Sequence, residues 1–399
     1  MKIDNDVKKI EELLTRGVEN IYPAREFLEA RLKSGKQLTL YTGYDPTAPS
    51  LHIGHAITMM KLRQFQDLGH KVIMLIGDFT GMIGDPTDKS SARQQLTRKQ
   101  VLINCKNYQK QASAILDFTG KNKVEIRYNN DWLGKLKANE MLELASHVTV
   151  PRLLERDMFK ERLKEGKTIY LHELMYPMFQ AYDSVMMDVD GEVGGNDQTF
   201  NMLMGRDLMK ELKNKEKFVL TTKLLTDNTG KKMGKSEGNM IALSDSAEDM
   251  FGKVMSWSDG QIIIGFELCT RVEMVEIKDF ASQMQIGVNP RDLKVKLAHE
   301  IVKTFLGEKE AVKAQEYFIS TFSKKETPDE MPEIKPTVYD IATVLVESKI
   351  CSSKGDARRQ IDQGGVKVND VKINAGDYSF VVKMEDVVQK GSRFFVRVK

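Results

Sequence analysis

No stretch of the 399-residue chain strings together the roughly 20 apolar residues that a bilayer-spanning helix needs, so no membrane segment is expected. Cysteine is scarce. Cys105, Cys269 and Cys351 are odd in number, lie far apart and fit no metal-binding spacing, which points to reduced buried thiols and a cytoplasmic setting. The opening residues Met-Lys-Ile-Asp-Asn-Asp-Val-Lys-Lys carry charges where a secretion signal would need an apolar run. A large excess of one charge is missing too: the net charge is +3, which neither demands nor excludes a nucleic-acid partner. The imbalance is local. Residues 335–399 hold twelve basic and eight acidic side chains, so the positive excess sits at the C-terminal end, where a separate RNA-facing module is expected. The rest is an ordinary globular composition, 41% hydrophobic and 29% charged, long enough for two to three domains.

The most informative stretch is 36–62. Leu38 to Tyr41 has strand-like content that stops at Thr42-Gly43, and Asp45, Pro46, Pro49 and Ser50 make the following residues a loop. From Gly54 the apolar residues Ile57, Met60, Leu62, Phe65 and Leu68 recur at helical intervals up to Gly69. His52 and His55 therefore stand where a strand hands over to a helix, the place where open α/β sheets bind nucleotides. Two imidazoles three residues apart can donate to phosphate oxygens as charge develops, and Gly54 between them lets a nucleotide approach. By itself the His-x-Gly-His pattern fits a chance helix start equally well.

Further along, residues 5–35 read as helix interrupted at Pro23, and Lys71–Gly77 reads as a buried parallel strand. That strand runs into the Gly/Asp loop Asp78–Lys89. Repeated strand–loop–helix units favour a doubly wound parallel sheet. Lys89 and Arg93 are able to close over a polyphosphate, and a solvated charged face fits them equally. Residues 98–119 and Ala138–Arg162 read as helix around a strand at Val124–Tyr128. On the helix that follows, Tyr176, Gln180 and Asp183 share one face amid Met178, Phe179 and Val185. Three polar groups in apolar surroundings call for polar partners. Val193-Gly194-Gly195-Asn-Asp197-Gln198 reads as a glycine-bearing turn where Asp197 can take ribose hydroxyls, before a helix at Phe200–Leu212. After a strand at Phe218–Leu225 comes Gly230-Lys-Lys232-Met-Gly-Lys235-Ser236-Glu-Gly238, a cationic flap suited to a polyphosphate, although such loops are commonly plain surface. Residues 247–330 are helical in pattern, with a linker near Ser323–Glu333.

His-x-Gly-His near the first strand, paired with Lys-Met-Gly-Lys-Ser some 180 residues later, is the double signature of class I aminoacyl-tRNA synthetases. With Tyr41-Thr-Gly-Tyr-Asp45-Pro-Thr47, Gly84-Asp85-Pro, Tyr176-x-x-x-Gln180-x-x-Asp183 and Gly194-Gly195-Asn-Asp197-Gln198, the chain resembles the bacterial tyrosyl-tRNA synthetases essentially end to end. The resemblance implies a Rossmann-like α/β catalytic domain at 1–246, an α-helical anticodon-arm domain at 247–330 and a small α+β S4 RNA-binding domain at 335–399. It implies activation of L-tyrosine with ATP and Mg²⁺ to tyrosyl-adenylate, transfer to tRNA(Tyr), and a homodimer. Tyr41 and Asp183 match the pair that hydrogen-bonds the substrate phenol. Asp85, Tyr176 and Gln180 match the α-amino contacts, and Gln198 lies near the carboxylate. Gly43, Asp45, Gly54, Gly195, Asp197, Leu224, Leu225 and Lys235 match the ATP site. His52 and His55 would stabilise the α-phosphate. Lys232, Lys235 and Ser236 would hold departing pyrophosphate, helped by Lys89 and Arg93. No dedicated metal cage is implied. Lys354, Arg358 and Arg359 would grip RNA backbone. Gly234, Glu192 and Thr199 depart from common family residues, which touches the rim of the tyrosine pocket. The rivals are a tryptophanyl-tRNA synthetase and a synthetase-like RNA-binding regulator without catalysis. Tyr41 with Asp183 argues against the first, and intact histidines and lysines argue against the second.

Overall fold

The unbroken apolar runs become the centre of a parallel sheet. The computed structural model describes residues 3–86, 95–226, 240–323, 331–391 and 394–399, and the chain divides into two units that meet between Ala311 and Val312. In the first unit, strands β1 (Val18–Tyr22), β2 (Thr39–Tyr44), β3 (Lys71–Ile76), β4 (Glu125–Tyr128), β5 (Gly191–Gly195) and β6 (Phe218–Thr222) lie in the order β1-β6-β5-β2-β3-β4. All neighbours are parallel except the edge strand β1, which runs antiparallel to β6. β3 is buried from Val72 to Ile76 and β6 along its whole length, as parallel strands covered on both faces must be.

The strand order reverses between β5 and β2, and there the sheet opens. β2 pairs with β3 from Thr39↔Lys71 through Tyr44↔Ile76, but with β5 only at Leu40↔Gly191 and Tyr41↔Glu192. Past Tyr41 the Thr42 hydroxyl takes over, donating to the Val193 carbonyl at 2.6 Å. A crevice at such a reversal, outside the carboxyl ends of the strands, is where doubly wound sheets hold ligands.

Helix Ile53–Asp67 buries Ile53, Ala56, Ile57, Met59, Leu62 and Phe65, and the Phe65 ring lies 5.8 Å from that of Phe218 in β6. Helices Leu171–Met187 and Thr199–Lys213 share an apolar cluster containing Phe179, Ala181, Val185, Met204 and Leu208. Helices Ala247–Met255, Ile262–Cys269, Met274–Gln285 and Pro290–Leu306 belong to the same unit. Two buried basic side chains fasten the histidine-bearing helix to its surroundings, and burial lowers the pKa of one of them, Lys61, to about 7. Lys61 donates to the carbonyls of Leu13 and Arg16, each at 2.7 Å. Arg16 in turn donates to the carbonyls of Glu267 at 3.0 Å, Thr270 at 2.7 Å and Val272 at 2.8 Å. Such hydrogen bonds satisfy charges that burial would otherwise make costly.

His70, just before β3, is fully buried, and its Nδ1 accepts the Leu38 N–H at 3.2 Å. Burial lowers its pKa to about 4, with the Asp190 charge opposing. The folded protein therefore keeps His70 neutral at pH values where the unfolded chain has already taken up a proton. Stability is full above about pH 6.5 and falls as the pH drops toward 4, by at most about 3 kcal/mol. Urea unfolding midpoints at pH 7 and pH 5 measure this. His70→Gln is expected to flatten the dependence, and an unchanged dependence in that variant refutes the assignment.

The second unit carries its own sheet, β7 (Glu333–Ile334), β8 (Val366–Val368), β9 (Val371–Lys372), β10 (Val387–Lys390) and β11 (Phe394–Val398), in the order β7-β11-β10-β8-β9. Helices Ile341–Glu347 and Lys354–Asp362 cover it, with Val344, Leu345, Ala357, Ile361, Val366, Val388 and Val396 in the core. Gly364, at φ +68°, ends the second helix, and a Cβ there would lie 2.1 Å from Lys372.

Several elements differ from the expectations above. Residues 18–22 form β1 rather than helix, because Gly17 takes a left-handed turn and the strand gains its partner in β6. β2 continues through Thr42-Gly43 to Tyr44. Gly194 and Gly195 lie within β5, not in a turn after it. The segment 98–119 breaks into Arg98–Cys105 and Tyr108–Ala112, and 138–162 contains three helices, Ala138–Ser146, Val150–Leu154 and Asp157–Lys164.

Candidate active site

β2 delivers Tyr41 and, at its end, Asp45; the loop beyond brings His52 to the N-cap of helix Ile53–Asp67. The two imidazoles stack with centroids 3.7 Å apart and planes 21° from parallel. The His52 backbone N–H donates to His55 Nδ1 at 3.1 Å, so neutral His55 carries its hydrogen on Nε2. A Cβ on Gly54 would lie 3.0 Å from the His52 ring, tighter than the ring accommodates without shifting. Residues 241–243 run beside the loop: Ile53 N donates to the Ile241 carbonyl at 2.9 Å and Leu243 N to the Leu51 carbonyl at 2.8 Å. The chain leaving the lysine-rich segment is thereby tied to the histidines. Lys232, Lys235 and Ser236 themselves, like Lys89 and Arg93, lie outside the described residues.

From this corner a chain of hydrogen bonds runs under the crevice. Asp45 Oδ2 accepts from the Tyr176 hydroxyl at 2.9 Å and Oδ1 from Thr80 Oγ1 at 2.7 Å. Gly77 makes room, since a Cβ there would lie 2.0 Å from Asp45 Oδ1. Asn129 Nδ2 donates to Thr80 Oγ1 at 2.9 Å and to Asp183 Oδ2 at 3.2 Å, and the Trp132 indole N–H donates to Asp183 Oδ1 at 2.8 Å. Asp183 is thus a buried carboxylate with one N–H donor on each oxygen and further lone pairs to offer. Burial pushes its pKa well above the usual carboxylate range, and the Trp132 and Asn129 donors oppose that shift.

A second chain borders the same crevice. Asp85 accepts from Arg156 at 3.0 Å on Oδ1 and from Gln198 Nε2 at 2.7 Å on Oδ2. Asn201 Nδ2 donates to both Gln198 Oε1, at 3.1 Å, and Gln180 Oε1, at 3.0 Å. Gln180 Nε2 donates to Glu192 Oε1 at 3.1 Å, and Glu192 Oε2 takes the ammonium of Lys217. Lys217 also donates to Ser184 Oγ at 2.8 Å, which lies 2.9 Å from the Tyr41 hydroxyl. Burial raises both Tyr41 and Tyr176 well above the ordinary phenol value, reinforced by the charges of Glu192 and Asp183 on the first and of Asp45 and Asp85 on the second. Both hydroxyls therefore keep their hydrogens.

The structure brings Tyr41, Asp45, Asp85, Tyr176, Gln180, Asp183 and Gln198 into these two chains. Gly195, half-buried Asp197 and Leu224 meet at the end of β5, where a Cβ on Gly195 would lie 2.5 Å from Asp197 Oδ1 and 3.2 Å from Leu224. Leu225 is buried, and Gly43 is exposed in β2. Lys354, Arg358 and Arg359 sit in the second unit, all exposed, with Arg358 5.3 Å from the ring centre of Tyr378. Sequence reading missed Thr80, Asn129, Trp132, Arg156, Ser184, Lys217 and Asn201. A lysine directly before the apolar run Phe218-Val-Leu was the one visible signal, since a charge there is either an end or a buried partner. Among the described residues, no group of three His, Cys, Asp or Glu side chains is arranged to hold a metal ion, and no helix is long and apolar enough to cross a membrane.

The arrangement suits a small amphiphile with a polar tip deep in the crevice and a charged end near the surface, next to a nucleotide at the helix N-terminus. Comparison with known proteins gives the family. The family described as tRNA synthetases class I (W and Y) matches residues 33–323, and that described as the tyrosine--tRNA ligase SYY-like C-terminal domain matches residues 323–396. The chain is 44% identical over 387 residues to tyrosine--tRNA ligase 2 of Vibrio vulnificus (strain YJ016), covering 96% of this chain and 97% of that one. It is 45% identical over 392 residues to the tyrosine--tRNA ligase of Haemophilus ducreyi, covering 96% of each. A solved C-terminally truncated mitochondrial tyrosyl-tRNA synthetase of Coccidioides posadasii superposes with a TM-score of 0.64 at 26% identity, over 77% of this chain and 91% of that one.

Proposed function

The chain belongs to the class I tRNA synthetases of the tryptophan and tyrosine group and acts as a tyrosine–tRNA ligase, and we propose the following division of labour among its residues. The substrate phenol enters between Tyr41 and Asp183, one offering a hydroxyl hydrogen and the other a carboxylate oxygen. Asp85, Tyr176 and Gln180 take the α-ammonium. Arg156 and Gln198 engage one site on each Asp85 oxygen, and a carboxylate oxygen accepts more than one hydrogen bond. Gln198 adjoins the substrate carboxylate. ATP, as its magnesium complex, lies along Gly43, Asp45, Gly54, Gly195, Asp197, Leu224 and Leu225. The metal travels with the phosphates rather than in a protein cage.

The tyrosine carboxylate attacks the α-phosphorus; an oxygen–phosphorus bond forms as the bond to pyrophosphate breaks. His52 and His55 donate to the α-phosphate oxygens while charge builds there, and Lys232, Lys235 and Ser236 hold the departing pyrophosphate, with Lys89 and Arg93 assisting. A ribose hydroxyl at the 3′ end of tRNA(Tyr) then takes the tyrosyl group and AMP leaves. Lys354, Arg358 and Arg359 grip RNA backbone. We divide the chain functionally at 1–246, 247–330 and 335–399, and place it in the cytoplasm as a homodimer.

The observation that carries the tyrosine reading is Asp183, a buried acceptor aligned by Trp132 and Asn129 next to the Tyr41 hydroxyl. A phenol uses both a donor and an acceptor, an indole uses only the acceptor, and a phenyl ring uses neither. Amino-acid-dependent exchange of labelled pyrophosphate into ATP, run separately with tyrosine, tryptophan and phenylalanine, tests it. Exchange with tyrosine alone is expected. Exchange with tryptophan at a comparable rate would mean the pocket has been misassigned.

A further inference from the structure

Lys217 and Glu192 form an ion pair with essentially no solvent exposure, directly behind the pocket. A buried pair of this kind is weak evidence for stability, because taking both charges out of water offsets their attraction. The surrounding packing nevertheless makes room for it. A Cβ at Gly205 would lie 2.7 Å from Lys217 Nζ and 3.0 Å from Ser184 Oγ, so helix Thr199–Lys213 has no side chain where the ammonium enters.

The hydrogens can be counted outward from the lysine. An ammonium only donates, so Ser184 Oγ accepts from Lys217 at 2.8 Å. Ser184 keeps one hydrogen of its own, and the Tyr41 oxygen stands 2.9 Å away to receive it. In the arrangement where Ser184 donates, Tyr41 accepts that hydrogen and has its own left to give. Glu192 is the competing acceptor: both its charge and a side-chain hydrogen bond act on the Tyr41 hydroxyl. Its two oxygens already take hydrogens from Lys217 and from Gln180, so Tyr41 competes there with two other donors.

We propose that Lys217 is a positioning residue for substrate recognition: by donating to Ser184 and holding Glu192, it turns the Tyr41 hydroxyl hydrogen toward the phenol oxygen of tyrosine. The inference rests on the tyrosine reading of the pocket. Lys217 touches no substrate atom and acts through Ser184 and Glu192. The side chains involved are spread over β2, helix Leu171–Met187, β5 and the residue preceding β6, so the device spans the strand-order reversal itself.

The test measures pyrophosphate exchange with tyrosine and with high concentrations of phenylalanine in the unaltered protein, in Lys217→Met and in Ser184→Ala. The readout is the ratio of kcat/KM for the two amino acids. The ratio is expected to fall tenfold or more in both variants, with the loss falling on tyrosine and expressed mainly as a higher KM. A purely structural role lowers both amino acids together and leaves the ratio intact, which overturns the proposal. If Lys217→Met does not fold, Ser184→Ala decides alone, since it keeps the ion pair; an unchanged ratio there overturns the proposal equally. Absence of tyrosine-dependent exchange in the unaltered protein overturns the pocket reading and this inference with it.

Discussion

Asp183→Asn is expected to lower kcat/KM for tyrosine in pyrophosphate exchange by about 10³-fold, which at ~1.4 kcal/mol per decade is about 4 kcal/mol. Both Asp183 oxygens already accept an N–H, from Trp132 at 2.8 Å and from Asn129 at 3.2 Å. An asparagine must turn its NH₂ toward one of those donors, leaving an N–H facing an N–H, and it loses the charge that strengthens a hydrogen bond to a phenol. The same mismatch costs the fold about 1–3 kcal/mol, so the variant unfolds earlier without failing to fold. Phenylalanine, which has no hydroxyl to lose, serves as the control and is expected to change far less. The pH profile gives an independent check. Because burial raises the Asp183 pKa, acidification protonates it above the usual carboxylate range, and the tyrosine profile should show an acid limb that the phenylalanine profile lacks. Exchange within tenfold of the unaltered protein would remove Asp183 from the pocket.

His55→Ala is expected to lower the maximal rate of exchange by about 10²–10³-fold, the usual loss when one preorganised donor to a developing charge is removed. KM for tyrosine should move by less than about threefold, since the proposed division of labour sets His55 beside the nucleotide and a contact made only in the transition state appears in kcat. The geometry argues for a donor rather than a base. The His52 backbone N–H occupies His55 Nδ1 at 3.1 Å, which leaves Nε2–H as the group to present. His55→Gln, which restores an amide donor, should recover part of the rate. A rate within fivefold of normal in His55→Ala would exclude the histidine from phosphate stabilisation.

The position of Asp45 shows how far local reading reaches. Sequence places it in a loop after a strand, next to the histidines, and the resemblance implies an ATP contact; the structure adds that its two oxygens hold Tyr176 and Thr80. Asp45 therefore ties the corner beside the histidines to helix Leu171–Met187, a link with no trace in spacing because Tyr176 lies 131 residues away.

What the sequence determined alone is what short-range patterns encode. The unbroken apolar run of β3, the helical face of Tyr176, Gln180 and Asp183, and the paired histidine and lysine motifs announce a doubly wound synthetase fold. β1 was not legible. Val18-Glu-Asn-Ile-Tyr is a polar edge strand with no alternation to betray it, and its hydrogen-bond partners are supplied by β6 about 200 residues later. Gly194 and Gly195 misled for a related reason: they pair with Thr221 and Thr222 of β6, and Gly194 is required by the Met202 sulfur, 2.8 Å from a Cβ it does not have. Tertiary structure alone decided which polar groups meet: Trp132 and Asn129 on Asp183, and Lys217 and Ser184 behind Tyr41. Those contacts join residues 33 to 143 positions apart. Burial leaves each of these groups little but the others to bond with, and no periodicity of 2 or 3.6 residues records a constraint of that kind.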